Sequence, residues 1–151
     1  MPEVREEVVV PFAAEKVCRF FQTPAAVLAI SDPSIGARLI AAPDRLDEGD
    51  EVRLELMAFG TRQAVTNRIV EARFPASFVE EQRSGPLTAY RHQHLFEAVD
   101  GGTRVIDVIE FEPPGGLAGL LMTAEKIEEQ LGDSIALRNR NLGAALERFE
   151  E

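Results

Sequence analysis

Apolar and polar residues alternate through most of this chain and then change period near its end. Glu3 to Pro11 alternates weakly and closes on Val8-Val9-Val10, which predicts a first strand. Ala13 to Gln22 places Val17, Phe20 and Phe21 on one side of a short helix. Thr23-Pro24 starts a second short helix that runs to about Ile30, where Ser31-Asp32-Pro33 stops it. Strands are then predicted at Ala37 to Ala42, Glu51 to Phe59, Arg62 to Phe74 and Ser77 to Ser84, each bounded by Gly, Pro or Asp. Short turns with no intervening helices argue for one antiparallel meander.

Leu87 to Pro114 reads as a hairpin turning at Gly101-Gly102, since a type I′ turn needs positive φ at both central residues. That turn sets Asp100 opposite Thr103, Phe96 opposite Asp107, His94 opposite Ile109 and His92 opposite Phe111. One face then carries Tyr90, His92, His94, Phe96, Val105, Asp107, Ile109 and Phe111. Polar groups on such an apolar face are costly unless paired or wetted, so the pattern suggests a lined cavity more than a dry core. The opposite face is charged, with Leu95, Ile106 and Val108 among the charges. If exposed, these three allow a homodimer through the outer face of the sheet.

From about Leu117 to Phe149 the period becomes helical. Ile127, Leu131, Ile135, Leu142, Leu146 and Phe149 share about 100° of arc, with Leu120 and Ala124 on the same stripe. Arg138 falls near the middle of that apolar stripe. The expected fold is α+β: a curved antiparallel sheet of six to seven strands wrapped around a long C-terminal helix, with two short helices after the first strand. One domain, residues 1–151, accounts for the chain.

Composition narrows the functional classes. The net charge of −10 argues against a nucleic-acid surface and against anionic lipid headgroups. The single cysteine, Cys18, permits no internal disulfide and points to a reducing cytoplasm, with the thiol buried and structural. No apolar run approaches the roughly 18 residues of a membrane span, and no charged-then-apolar leader opens the sequence.

The order of elements, with particular residues, resembles the START-like (SRPBCC) superfamily and its helix-grip fold over essentially the whole chain. The segments that carry the resemblance are Phe78-Val79-Glu80-Glu81-Gln82 with Gly85-Pro86, His92-Gln93-His94-Leu95-Phe96-Glu97, Asp100-Gly101-Gly102-Thr103-Arg104, Asp107, and Pro113-Pro114-Gly115-Gly116-Leu117. They look like the ligand-binding branch near the polyketide cyclase/dehydrase group. That branch commonly has a Trp before the His-x-His segment, where this chain has Tyr90 and no Trp at all. The resemblance implies a cavity for an apolar molecule of lipid, polyketide or aromatic type, between the sheet and the C-terminal helix.

Three functions follow as expectations. The first is a small cytoplasmic protein binding an apolar ligand, with Glu80, Gln82, Tyr90, His92, Phe96, Ile109, Phe111, Met57 and Arg138 as candidate wall residues. The second is a cyclase or dehydratase, with His94 as general base, Asp107 orienting it and Arg138 holding an oxyanion. An internal pair of Arg138 with Glu80 or Asp107, and a His–Asp pair that only satisfies two buried groups, are the structural alternatives. The third is an interaction module with a vestigial cavity. Two histidines with Glu80 or Asp107 could ligate a metal in principle, but there is no third histidine, and the reading takes no metal and no cofactor.

Overall fold

The computed structural model describes all residues, Met1–Glu151. Seven strands form one antiparallel sheet: β1 (Glu3–Val10), β2 (Arg38–Ala41), β3 (Glu51–Ala58), β4 (Thr61–Arg73), β5 (Ser77–Ser84), β6 (Ala89–Val99) and β7 (Gly102–Glu112). Their spatial order is β1-β7-β6-β5-β4-β3-β2, so the first strand closes against the last and the rest is a meander. Between β1 and β2 lie α1 (Ala14–Phe21), α2 (Pro24–Ala29) and a 3-10 turn at Pro33–Ile35. After β7 come α3 (Gly116–Leu121) and the long α4 (Ala124–Arg148). This is the helix-grip fold that the sequence pattern predicts.

The β6–β7 hairpin differs from expectation in register. Val99 pairs with Gly102, so Asp100 and Gly101 form the turn, and His94 faces Asp107 while His92 faces Ile109 and Tyr90 faces Phe111. Gly101 takes the positive φ of +79°. Gly102 is instead the first residue of β7, where an added Cβ would lie 2.0 Å from the carbonyl oxygen of Val10. The second glycine thus serves the close approach of β1 rather than the turn. Because the register moves by two, every side chain stays on its predicted face.

Two other expectations fail. The C-terminal helix is not continuous from Leu117. It breaks at Met122, and Thr123 caps α4 by accepting from the Lys126 amide. Leu120, placed on the buried stripe by periodicity, is 75% exposed, beside Leu117 and Leu121. On the outer face of the sheet Ile106 and Val108 are buried within the monomer and Leu95 is half-buried. β7 is flanked by β1 and β6 on both sides, with Arg5 and Glu7 opposite Val108 and Ile106 across one edge and Gln93 and Leu95 across the other. Ile106 and Val108 therefore do not form the exposed patch that would have allowed a dimer through this face.

The core has two apolar bodies. The larger gathers Val10, Val17, Phe20, Phe21, Phe78, Phe96, Val105, Leu142 and Leu146 under α1 and the last turns of α4. The smaller joins Val4, Ile109, Phe111, Ile127 and Ile135. Along β7 the sequence Val105, Asp107, Ile109 passes from one to the other, and along α4 Ile135, Arg138, Leu142 does the same. A buried polar belt divides them. α4 lies against β1, where Gly132 has no side chain and Glu6 and Val4 approach. Leaning toward that edge, the helix leaves space over β3, β4 and β5.

Candidate functional site

The polar belt is built from strands whose inward residues alternate with outward ones. Glu80 on β5 pairs with His92 on β6, and His94 pairs with Asp107 on β7, so four ionisable groups share one patch of the inner face. Arg138 reaches them from α4. Its guanidinium donates from Nη1 to Asp107 Oδ1 at 3.0 Å and from Nη2 to Oδ2, a two-pronged pair that is completely shielded on the aspartate side. Nε and Nη2 also donate to Asn139 Oδ1, and the group lies 4.8 Å over the ring of Phe21. Arg138 interrupts the apolar stripe of α4 because it supplies the counterion of Asp107.

Asp107 bonds His92 rather than His94, the partner that the sequence suggests. Asp107 Oδ1 lies 2.7 Å from Nε2 of His92, its diagonal neighbour, and only 3.7 Å from Nδ1 of His94, which it faces. His94 directs Nε2 to Glu80 Oε1 at 3.0 Å. His92 Nδ1 lies 3.4 Å from the same Glu80 oxygen and 3.2 Å from the Tyr90 hydroxyl. The two imidazoles stack at 3.8 Å, and Phe78 stacks on the far side of His94 at 4.3 Å.

Their protonation follows from this geometry. Burial alone pushes both imidazoles down. For His92 the hydrogen bonds to Asp107 and Glu80 outweigh burial, and its pKa is raised. For His94 burial is reinforced by the neighbouring His92 charge, and its pKa is lowered. Burial would raise Asp107 and Glu80, but the Arg138 charge and His92 for the first, and bonds from both histidines for the second, hold each well below the carboxylate range. With His92 protonated the belt holds two anions and two cations. His94, neutral and donating from Nε2 to Glu80, keeps Nδ1 as a buried acceptor that no group satisfies. Glu80, His92 and His94 also have the donor atoms of a metal site, all within 4.8 Å of one another.

A cavity of about 550 Å³ lies beside this belt, under the space left by α4. Leu54, Leu56 and Met57 of β3, Val65 and Asn67 of β4, and Ile127 and Leu131 of α4 form part of its wall. Phe59, in the left-handed region at φ 56°, and Gly60 close one side through the β3–β4 turn. The exposed lining residues Ser34, Met57, Gly60, Gln130 and Asp133 mark its mouth. Of the residues expected to meet a ligand, Tyr90, Gln82 and Met57 line this cavity. Glu80, His92, His94, Asp107 and Arg138 form the belt behind it, and Phe96, Ile109 and Phe111 are core. Tyr90 links the two: it lines the cavity, and its hydroxyl lies against His92. Burial and the charges of Glu80 and Asp107 raise its pKa, so the phenol stays protonated.

Sequence reasoning missed Asp32, Ser34 and Gln130, which come to the mouth from a 3-10 turn and from α4. Leu54 and Leu56 were accessible to it, since they share the inward parity of Val52. Cys18 is buried as expected, and burial pushes its thiol up to about 12.

The sequence model of the family described as "Polyketide cyclase / dehydrase and lipid transport" matches residues 1–147. Solved structures share the fold at low identity. A Thermus thermophilus protein, TTHA0849, is 17% identical with a TM-score of 0.76, covering 97% of each chain. Protein CV1439 from Chromobacterium violaceum is 20% identical with a TM-score of 0.73, covering 98% of this chain and 99% of that one. The major latex-like protein 151 of Panax ginseng is 14% identical with a TM-score of 0.65, covering 94% and 95%. No curated protein matches the sequence.

Proposed function

The chain belongs to the polyketide cyclase / dehydrase and lipid transport family, within the START-like superfamily, and from that premise we propose that it binds a small, largely apolar molecule in the cavity between sheet and α4. The observation that carries this reading is the cavity itself. Its volume of about 550 Å³ is that of a small-molecule site, and eleven of its twenty lining residues are hydrophobic. Tyr90 is the polar anchor. When His92 is protonated its Nδ1–H is shared between the Tyr90 oxygen at 3.2 Å and Glu80 Oε1 at 3.4 Å, and the phenolic proton is then free for an acceptor oxygen on the ligand. Gln82 already donates to the Leu87 carbonyl at 2.7 Å and so stiffens that wall.

The cyclase reading requires a substrate to reach His94 or His92. None of the five belt residues lines the cavity, and both histidines are more than nine-tenths buried, so binding is the better-supported function. Nile red, an uncharged dye that brightens in apolar surroundings, tests it. Leu131→Trp, which fills the cavity from α4, is expected to weaken dye uptake about tenfold or more, since each 1.4 kcal/mol of lost contact is a factor of ten. Its far-UV circular dichroism should match the parent. Equal uptake by parent and variant would refute this site.

A further inference from the structure

Charge around the cavity is one-sided. Its lining contains no Lys, Arg or His, and its two charged residues, Asp32 and Asp133, are both acidic. Asp32 caps the start of the 3-10 turn before β2 and accepts from the Ser34 amide and hydroxyl through Oδ1, bonds that hold its pKa down and keep it ionised. Asp133 projects from α4 and is exposed. The nearby cations lie outside the lining. Arg62 donates to the Gly36 carbonyl at 3.2 Å and lies 3.8 Å from Glu55, a carboxylate that it shares with Arg38 at 3.0 Å. Arg138, the buried guanidinium, is committed to Asp107 and Asn139 behind the wall. A ligand carboxylate would therefore find two like charges at the mouth and only the neutral Tyr90 phenol, Asn67 and Gln82 amides within.

We propose that the cavity selects its ligand by charge: for one apolar chain it prefers the protonated amine to the alcohol and the alcohol to the carboxylate. This rests on the binding reading above and adds the class of headgroup. Both aspartates act twice in the comparison, attracting the amine and repelling the carboxylate. At separations of about 8 Å through water each interaction changes affinity roughly two- to threefold, so amine and carboxylate should differ by at least about tenfold at low salt. The gap should shrink as ionic strength rises, because mouth charges are screened.

The test is displacement of Nile red at pH 7 by dodecylamine, dodecanol and dodecanoate, each below its critical micelle concentration. The expected order is amine, alcohol, carboxylate. In Asp32→Asn/Asp133→Asn, which keeps an acceptor for the Ser34 amide, the amine-to-carboxylate gap should fall to about threefold or less. Dodecanoate displacing as well as dodecylamine would overturn charge selection while leaving the cavity reading intact. An unchanged gap in the double variant would also overturn it. Failure of Nile red to bind at all would instead remove the binding reading on which the proposal rests.

Discussion

Replacing Arg138 by methionine isolates the contribution of the buried belt. The side chain is 7% exposed and its partner carboxylate is fully buried, so the pair is shielded from bulk water. The substitution keeps most of the stem, loses the guanidinium's contact with the Phe21 ring, and leaves Asp107 with one bond, from His92. The belt passes from two anions and two cations to an excess negative charge. Breaking a buried pair from one side costs about 3–5 kcal/mol. His94 can offset part of this by taking up a proton, which is easier in acid, so the cost should lie near ~3 kcal/mol at pH 5.5 and near ~5 kcal/mol at pH 8. With a urea m-value of about 2 kcal/mol/M, the unfolding midpoint falls by roughly 1.5 M and 2.5 M respectively. Far-UV circular dichroism against urea reads both. Asp107→Leu/Arg138→Leu should cost less than the sum of its single variants, by about 2 kcal/mol. Nile red affinity per folded molecule should change less than about twofold, because Arg138 does not line the cavity. A midpoint shift below about 0.5 M at both pH values would mean that Arg138 is not the counterion of Asp107.

Two further expectations follow from the belt and the hairpin. Asp107 and Glu80 titrate below their unfolded values, so they stabilise the fold above about pH 4 and that contribution is lost as pH falls further. His94, also lowered, removes stability as pH drops below about 6.5, whereas His92, raised, stabilises fully below about pH 6.5 and less as pH climbs through its folded value. Urea midpoints of the parent and His92→Gln should therefore converge between pH 6 and pH 8, and a constant separation would contradict the raised His92 pKa. Gly102→Ala presses a methyl group onto backbone and should cost about 3 kcal/mol, the upper end of overpacking. Gly101→Ala, which meets nothing but carries φ of +79°, should cost about 1–2 kcal/mol of backbone strain. Equal destabilisation would show that β1 gives way.

Much of the fold was readable because its signals are local. Alternation fixed the seven strands and their faces, and the buried identities of His92, His94, Asp107 and Arg138 follow from parity on β6 and β7 and from the stripe on α4. The hairpin register was not readable, since Asp100-Gly101 and Gly101-Gly102 both offer a two-residue turn and the choice is made by Val10, on a strand about ninety residues away. Which histidine bonds Asp107 depends on side-chain rotation and on Glu80 competing from β5, neither of which periodicity reports. The end of α3 was hidden because Leu117, Leu120 and Leu121 continue an apolar spacing while facing solvent. The cavity was half visible: its β3 and α4 walls lie on regular elements, but Asp32 and Phe59 arrive from turns whose placement is a tertiary outcome.

The pairing of β1 with β7 also governs how the chain can assemble in time. Residues 3–10 find their partners among residues 103–110, so this strand stays wholly unpaired until about two-thirds of the chain has followed it. The meander from β3 to β7 can zip through adjacent hairpins, each closing a short loop, but the step that seats β1 closes a loop of about a hundred residues and bears its entropy. Gly102 lies at that seam, against Val10, and α4 covers β1 once it is seated. Folding should accordingly be limited by a late, non-local closure on a scale of milliseconds to seconds. During synthesis, β1 remains open to wrong partners longer than any other strand of the sheet.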